Sequence, residues 1–458
     1  VPDEIWPPSS AGVRVFGGIA LETPLIGFVN NQVSEFTSSM AGRWRRVTRE
    51  LFARFLPAVR WVARAVGEGR RQRAGGFVDR RTVIAGIAAV PLAATTVVST
   101  ASSASASVPV ADFGGHRRRP TLVIGHRGAS GYRPEHTLAS YELAARIGAD
   151  FMEPDLVPTK DGVLVCRHEP EIGGTTDVAD HPEFAARRAT KVLDGVPVTG
   201  WFTEDFTLAE LKTLRAKERL PVVRQENTMY DGRFEIPMFT ELLELRERLS
   251  RELGRELGVY PETKHPTYFR KAGLPLEQRL VDTLRRYGLN RRNAPVFVQS
   301  FETGSLRELR RLGLHTASVQ LLSAAGAPFD LIDAGDPRTY ADLSTPAGLR
   351  QIATYADGIG PDKVQIIPRA ADGTLGTPTS LVADAHAAGL VLHPYTFRAE
   401  NTFLPVDYRR GTSPNDFGRA IDEQVTYLKA GIDGLFTDQA DIGVIARDEA
   451  FARTAGAG

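Results

Sequence analysis

At 458 residues, 42% hydrophobic and 24% charged, the chain has the composition of a soluble globular protein, long enough for one large barrel domain or two ordinary ones. Its charge is unevenly spread: residues 1–106 carry 13 Lys/Arg against 7 Asp/Glu and the remainder 43 against 48, so the larger part is acidic, which argues against nucleic acid as a partner. The only cysteine, Cys166, excludes an intrachain disulfide and reads as a small buried hydrophobe.

In the basic part, Trp44 to Arg73 mixes Arg with Leu, Phe, Val and Trp, as a basic amphipathic helix or a long signal n-region does. Asp79-Arg80-Arg81-Thr82 then precedes an uncharged run from Val83 to Val98 and the small residues Ala101-Ser102-Ser103-Ala104-Ser105-Ala106, which suit a signal peptidase. This resembles a twin-arginine export signal, and a run of about sixteen residues is short of the roughly twenty that span a bilayer. Residues 1–106 are therefore expected to be a basic extension with an export signal and 107–458 the functional domain of a secreted, periplasmic or cell-wall protein, with transient membrane or cell-wall contact. Composition does not set the oligomeric state.

A β-rich run, Thr121 to Ile124, ends on Gly125-His126-Arg127-Gly128, placing an imidazole and a guanidinium at a strand's C-terminal end beside a glycine that permits tight backbone. A turn-rich loop carries Pro134-Glu135, and Thr137 opens a helix whose apolar positions Leu138, Tyr141, Leu143, Ala144 and Ile147 keep helical spacing until Gly148. In the next strand, Phe151 to Val157, alternation sends Glu153 and Asp155 to one side, where two carboxylates repel unless a cation lies between them; a hard divalent ion suits that place. Thr159-Lys160-Asp161-Gly162 is a tight turn, and a connection this short joins only antiparallel strands. The return arm, Val163 to Cys166, therefore brings His168 back to the level of the two carboxylates.

His126-Arg127-Gly128, Pro134-Glu135-His136-Thr137, Glu153-Pro154-Asp155, Thr159-Lys160-Asp161-Gly162 and His168-Glu169 together resemble the signature of the glycerophosphodiester phosphodiesterase family, and His393-Pro394-Tyr395 with Asp433-Gly434-Leu435-Phe436-Thr437-Asp438 is similar to its periplasmic or secreted branch. Two departures stand out: His136 where the family usually has Asn, and Glu169 where it usually has Asp. The resemblance implies a metal-dependent phosphodiesterase that releases sn-glycerol 3-phosphate and an alcohol from glycerophosphodiesters. His126 and His168 would be its acid–base pair, and Glu153 and Asp155 would be ligands of one divalent ion, Ca²⁺ or Mg²⁺, with Ca²⁺ favoured. Glu135 is read as orienting Arg127, with metal ligation the alternative.

After His168 a polar stretch runs to about Phe234 with a helix expected from Leu208 to Ala216; it lacks strand–helix alternation and reads as an insert covering the mouth. Helix Phe239 to Leu253 leads to strand Val259 to Thr263 and Glu262-Thr263-Lys264, matching the family's Glu-x-Lys; the resemblance makes Glu262 a third metal ligand and Lys264 a phosphate contact. Further helices are expected from Leu276 to Tyr287, Ser305 to Leu312, Leu349 to Tyr355, Thr379 to Ala388 and Asp416 to Ala430, with residues 324–348 a loop-rich insert. Tyr395 lies where relatives often carry an aromatic that lines the glycerol site, with core packing the alternative. Strands followed by helices start near 121, 151, 259, 296, 317, 358 to 364, 391 and 434, eight in all. That is the pattern of an α/β fold closed as a (β/α)8 TIM barrel, with inserts at the C-terminal face where such barrels keep their sites. No Gly-x-Gly-x-x-Gly opens a helix after the first strand, which argues against an open doubly wound sheet.

The expected chemistry follows from residue types. Arg127 can give a phosphate two parallel hydrogen bonds while Lys264 acts as a point charge, and one histidine can take a proton as the other donates one. A lysophospholipase D or teichoic-acid phosphodiesterase on the same fold is the first rival; Trp201, Phe202 and Phe206 would then line an apolar groove or else form the insert's own core. A surface-binding protein with a dormant site is the second rival, and it has no need of an acid–base pair beside a metal site.

Overall fold

The computed structural model describes residues 121–452, and the segment for which the sequence suggests a basic extension and an export signal lies outside them. Eight parallel strands form the described core: Leu122–His126, the pair Phe151–Glu153 and Asp155–Pro158, the pair Gly258–Val259 and Glu262–Thr263, Phe297–Ser300, Ala317–Leu322, Gly358–Pro361, Val391–Leu392 and Gly434–Thr437. The ring closes between the seventh and eighth strands, where Asp433 N–H donates to Leu392 O at 3.0 Å and Phe436 N–H to Pro394 O at 3.0 Å. The second and third strands each break in the middle, at Pro154 and at Tyr260-Pro261. Proline has no N–H to give a ladder, yet pairing resumes beyond it, with Glu262 N–H on Pro154 O at 2.9 Å.

Parallel register sets the level of every strand end. His126 lies abreast of Glu153, Asp155 abreast of Glu262, and Glu262 abreast of Gln299. Beneath them the barrel is filled by Ile124, Phe151, Tyr260, Phe297, Ala317, Val319 and Phe436. Tyr260 stacks on Phe297 at 5.0 Å and meets Phe436 edge-on at 5.0 Å, and its hydroxyl bonds Nδ1 of the buried His393 at 2.9 Å. This dry aromatic floor supports the polar mouth above it.

The helices follow their amphipathic spacing. Phe239–Leu253 buries Phe239, Leu242, Leu243, Leu245 and Leu249, starts with Glu241 accepting from Met238 N–H at 2.7 Å, and stops at Gly254 in the left-handed region. Thr137 caps Leu138–Arg146 through Ser140 N–H at 3.1 Å.

Four sequence expectations change. The helix expected from Leu208 to Ala216 is one turn, Leu208–Leu211, because Arg215 N–H and Ala216 N–H are taken by Asp177 Oδ1 and Phe234 O. The 169–234 insert also contains an antiparallel hairpin, Ala189–Leu193 with Val196–Gly200. Residues 324–348 hold short helices, Phe329–Asp333, Tyr340–Leu343 and the start of Pro346–Ile352, rather than loop alone. The sixth barrel strand is Gly358–Pro361, while Lys363–Gln365 is a 3₁₀ turn. Among the described residues no helix is long and apolar enough to cross a membrane.

Candidate active site

The first strand delivers His126 as its last residue, and the chain then turns sharply, Arg127 at φ 56° and Gly128 at φ 89°. A Cβ on Gly128 would fall 2.5 Å from Ser140 Oγ and 2.6 Å from its backbone carbon, so the turn packs on the helix only with glycine. The turn aims Arg127 N–H at Glu153 Oε2, 2.7 Å away. Four described non-glycine residues have positive φ, and three of them, Arg127, His136 and His265, belong to the loops that build the mouth; such local strain is tolerated where the surroundings fix it.

The three expected metal ligands come together: carboxylate oxygens of Glu153, Asp155 and Glu262 lie within 4.8 Å of one another, all buried. Around them Lys264 Nζ stands 3.0 Å from Glu262 Oε1 and 3.8 Å from Asp155 Oδ1, and Gln299 Nε2 donates to Glu153 Oε1 at 3.2 Å. His136 bonds Asp155 Oδ2 through Nε2 at 2.8 Å and the Tyr141 hydroxyl through Nδ1 at 2.7 Å. Arg127 Nη1 donates to Glu135 Oε2 at 2.9 Å. The fully buried Arg167 ties that loop down through the carbonyls of Glu135 and His136 at 2.8 and 2.9 Å.

Both histidines commit Nδ1 to a carboxylate. His126 Nδ1 is 2.6 Å from Asp438 Oδ1, just past the eighth strand, and His168 Nδ1 bonds Glu169. Tyr395 is half-buried at the rim, its hydroxyl donating to Leu322 O at 3.2 Å and its ring edge-on to Phe301.

The electrostatics of the acidic cluster follow from its burial and crowding. Burial, then the charges of Asp155 and Glu262, push Glu153 well above the usual carboxylate range. Burial likewise lifts Glu262 to about 8, against the pull of Lys264. Burial alone would raise Asp155 as well, but Lys264, His168 and His136 outweigh it and hold it well below its usual value. Three carboxylates this close cannot all ionise without added positive charge, and Asp155 Oδ1 accepts no hydrogen bond, so the donor set fits a hard divalent cation. Burial and Arg127 lower His126 to about 4, against Asp438, and lower His168 as well.

Sequence reasoning did not single out Asp438, Gln299 or Arg167 as parts of the site and noted His136 only as a departure from the family's usual Asn. Asp438 had one signal, a carboxylate directly after a barrel strand. It also missed Arg219 and Arg224, which reach the site from the insert and left no local pattern to read. Trp201, Phe202 and Phe206 do not form a groove: Phe202 and Phe206 are fully buried, Phe206 meets Phe184 edge-on at 5.0 Å, and Trp201 Nε1 donates to Phe184 O.

Residues 126–442 match the profile of the glycerophosphoryl diester phosphodiesterase family. A glycerophosphodiester phosphodiesterase of Arabidopsis thaliana is 38% identical over 69% of this chain and 82% of its own length. One of Haemophilus influenzae is 29% identical over 70% of this chain and 88% of its own. In fold, the chain is similar to a crystal structure from Silicibacter pomeroyi described as a putative glycerophosphoryl diester phosphodiesterase, with a TM-score of 0.50 at 21% identity over 73% of this chain and 96% of that one. With the strand-end constellation and a match over most of the described barrel, the chain belongs to the glycerophosphoryl diester phosphodiesterase family and is an enzyme of that class.

Proposed function

We propose that the chain hydrolyses small glycerophosphodiesters to sn-glycerol 3-phosphate and an alcohol, with His126 and His168 exchanging protons beside a divalent ion held by Glu153, Asp155 and Glu262. The observation that carries this reading is the pairing of both histidines, through Nδ1, with carboxylates next to the acidic cluster. With Nδ1 committed, Nε2 is the nitrogen left for proton transfer. Burial and Arg127 lower both imidazoles, which suits one ring to accept the proton of the attacking hydroxyl; donation to the leaving oxygen requires the other ring in its protonated form, a cation that its carboxylate partner stabilises. Arg127 and Lys264 bind the phosphate oxygens, the first as a fork and the second as a point charge, and Glu135 fixes the Arg127 guanidinium. Glu153, Asp155 and Glu262 would hold the ion, with Ca²⁺ the expected occupant, and its chemistry there would be Lewis-acid polarisation of a phosphate oxygen. Tyr395 is assigned to the glycerol end.

The full burial of Phe202 and Phe206, the latter in the core shared with the barrel, leaves no apolar groove there and favours a small headgroup over a lipid chain. Export by the Arg80-Arg81 signal is proposed from the sequence of residues 79–106 alone.

The test is release of glycerol 3-phosphate from glycerophosphocholine by the full chain, with and without chelator, beside His126→Ala. The reading expects loss in both controls, about 10²–10⁴-fold for the histidine, and recovery when Ca²⁺ is returned. Turnover of a lysolipid or polyglycerol phosphate in place of glycerophosphocholine sinks the substrate assignment, and unchanged turnover in His126→Ala sinks the acid–base assignment.

A further inference from the structure

Two arginines five positions apart on the insert, Arg219 and Arg224, each bind a carboxylate that in turn holds one of the two histidines. Arg219 grips Glu169 with two parallel bonds, Nη1 to Oε1 at 3.0 Å and Nη2 to Oε2 at 2.8 Å, and Glu169 holds His168 Nδ1. The same guanidinium grips Glu135, Nε to Oε2 at 2.7 Å and Nη2 to Oε1 at 2.6 Å, and Glu135 holds Arg127. Arg224 is buried and reaches three elements. Its Nη2 donates to Asp438 Oδ2 at 2.6 Å, its Nε to Glu400 Oε1 at 2.6 Å, and its Nη1 to Ser130 O at 2.9 Å. Asp438 holds His126 Nδ1, and Ser130 Oγ bonds His126 O at 2.9 Å.

The segment between the arginines is itself braced. Glu218 accepts from Leu220 N–H at 2.8 Å and from Asn227 Nδ2 at 2.9 Å, Arg224 N–H closes on Leu220 O at 2.8 Å, and Asn227 Nδ2 also reaches Ser130 O at 3.3 Å. The turn thus presents two forks at a fixed separation.

We infer that Arg219 and Arg224 are positioning residues of the hydrolytic centre: the 218–227 turn is a latch that locks the carboxylate partner of each histidine, so the site is incomplete without the insert. The physical reason is directional. A lone carboxylate against an imidazole can rotate or take up a proton, whereas one whose second oxygen is held by guanidinium keeps a fixed acceptor for Nδ1–H and so fixes the tautomer. Burial opposes ionisation of Asp438, but Arg224, Arg398 and His126 outweigh it and hold the carboxyl well below its usual range. Lysine cannot replace either fork, since it offers a point charge.

This inference rests on the proposed hydrolysis, and its test separates the two. Glycerophosphocholine turnover is measured for the full chain and for Arg224→Gln, Arg224→Lys, Arg219→Gln, Asp438→Asn and the double variant Arg224→Gln/Asp438→Asn. Arg224→Gln and Arg224→Lys are expected to lower kcat about 10–100-fold with KM unchanged, and Arg224→Gln to add nothing in the Asp438→Asn background. Arg219→Gln is expected to lower kcat and raise KM together, because Glu135 also holds the phosphate-binding Arg127. A general loss of packing gives additive losses and no such split, which overturns the inference, as does wild-type kcat in the Arg224 variants. If Arg224→Gln does not fold, Arg224→Lys, which keeps the buried charge but loses the fork, decides by the same criterion. An unaltered chain without turnover on any glycerophosphodiester overturns the functional reading, and this one with it.

Discussion

The barrel's strand ends and the 169–234 insert supply side chains to one site, yet they place them by different means. At the strand ends, backbone register fixes position: His126 beside Glu153 and Asp155 beside Glu262 follow from ladder pairing whatever the side chains do. The insert's pairing is largely with itself, through the 189–200 hairpin and isolated bridges such as Thr176 with Ala216, and its reach into the site runs through Glu169 at its start and the guanidinium groups of Arg219 and Arg224. A strand-end group is therefore held even when a neighbour changes, whereas an insert group depends on a few buried charges whose partners are distant in sequence.

The largest expected effect tests the register-built half. Glu153→Gln or Asp155→Asn keeps the strands paired and removes one charge from the acidic cluster, so the fold is expected to stand while turnover falls by about 10³-fold or more, the scale of losing a preorganised electrostatic group. Thermal melts with and without Ca²⁺ give the companion readout. Glu153 and Glu262 are pushed up, the latter to about 8, so the ion must displace protons. Stabilisation by added Ca²⁺ is expected to grow as pH rises toward about 8 and to be largely lost in Glu153→Gln. Equal stabilisation at every pH, or in the variant, would falsify the three-carboxylate site.

How much of this was legible in the sequence divides along the same line. The eight strands, Phe239–Leu253 and the pairing of Glu153 with Asp155 were readable because alternation, helical spacing and turn length are local signals, whereas Glu262 joined them only through the resemblance to the family's Glu-x-Lys. The hairpin return to His168 was readable for the same reason: four residues at a turn leave one geometry. The sixth strand was ambiguous because both Gly358 onward and Val364 onward look β-like, and only pairing with Ala317–Leu322 decides. The 169–234 insert was opaque. Its 3₁₀ turns and hairpin carry little hydrophobic periodicity, and nothing near Arg219 or Arg224 announces Glu135, Glu169, Glu400 or Asp438. Long-range ion pairs have no sequence period.

A smaller effect is expected at His136, where a barrel loop meets the acidic cluster. The residue sits at φ 52°, a left-handed conformation that asparagine accepts better than most side chains, so His136→Asn is expected to keep the backbone. The shorter amide cannot span both Asp155 and the Tyr141 hydroxyl, as the imidazole does at 2.8 and 2.7 Å. Affinity for the ion is then expected to fall about 10–100-fold, the usual cost of losing a partner behind a ligand, with kcat preserved at saturating ion. An ion titration of turnover reads both numbers; a fall in kcat that saturating ion does not restore gives His136 a role beyond holding Asp155.

The smallest effect concerns a charge that the insert exerts on Glu302 without bonding to it. Glu302, just past the fourth strand, accepts from Thr267 N–H and from Thr267 Oγ1 at 2.5 Å. Burial lifts its carboxyl to about 8, Thr267 pulls it down, and the charges of Asp330 and of Asp194, at the tip of the insert hairpin, add to the rise. Between the unfolded carboxyl range near 4.5 and about 8 the folded state therefore binds more protons at this site, so its stability contribution is whole below the lower value and lost as pH rises through the upper one. Glu302→Gln is expected to flatten the decline of Tm across that window by a few degrees, and Asp194→Asn to flatten it by less, since it removes only the hairpin's share. Asp194 also holds His265 Nδ1 at 2.6 Å, a bond that its variant loses and Glu302→Gln keeps, so the Asp194→Asn slope is read against that of the double variant with Glu302→Gln. An unchanged slope in Glu302→Gln removes the carboxyl from the account; a changed slope there with none in Asp194→Asn confines the insert's influence to its direct contacts.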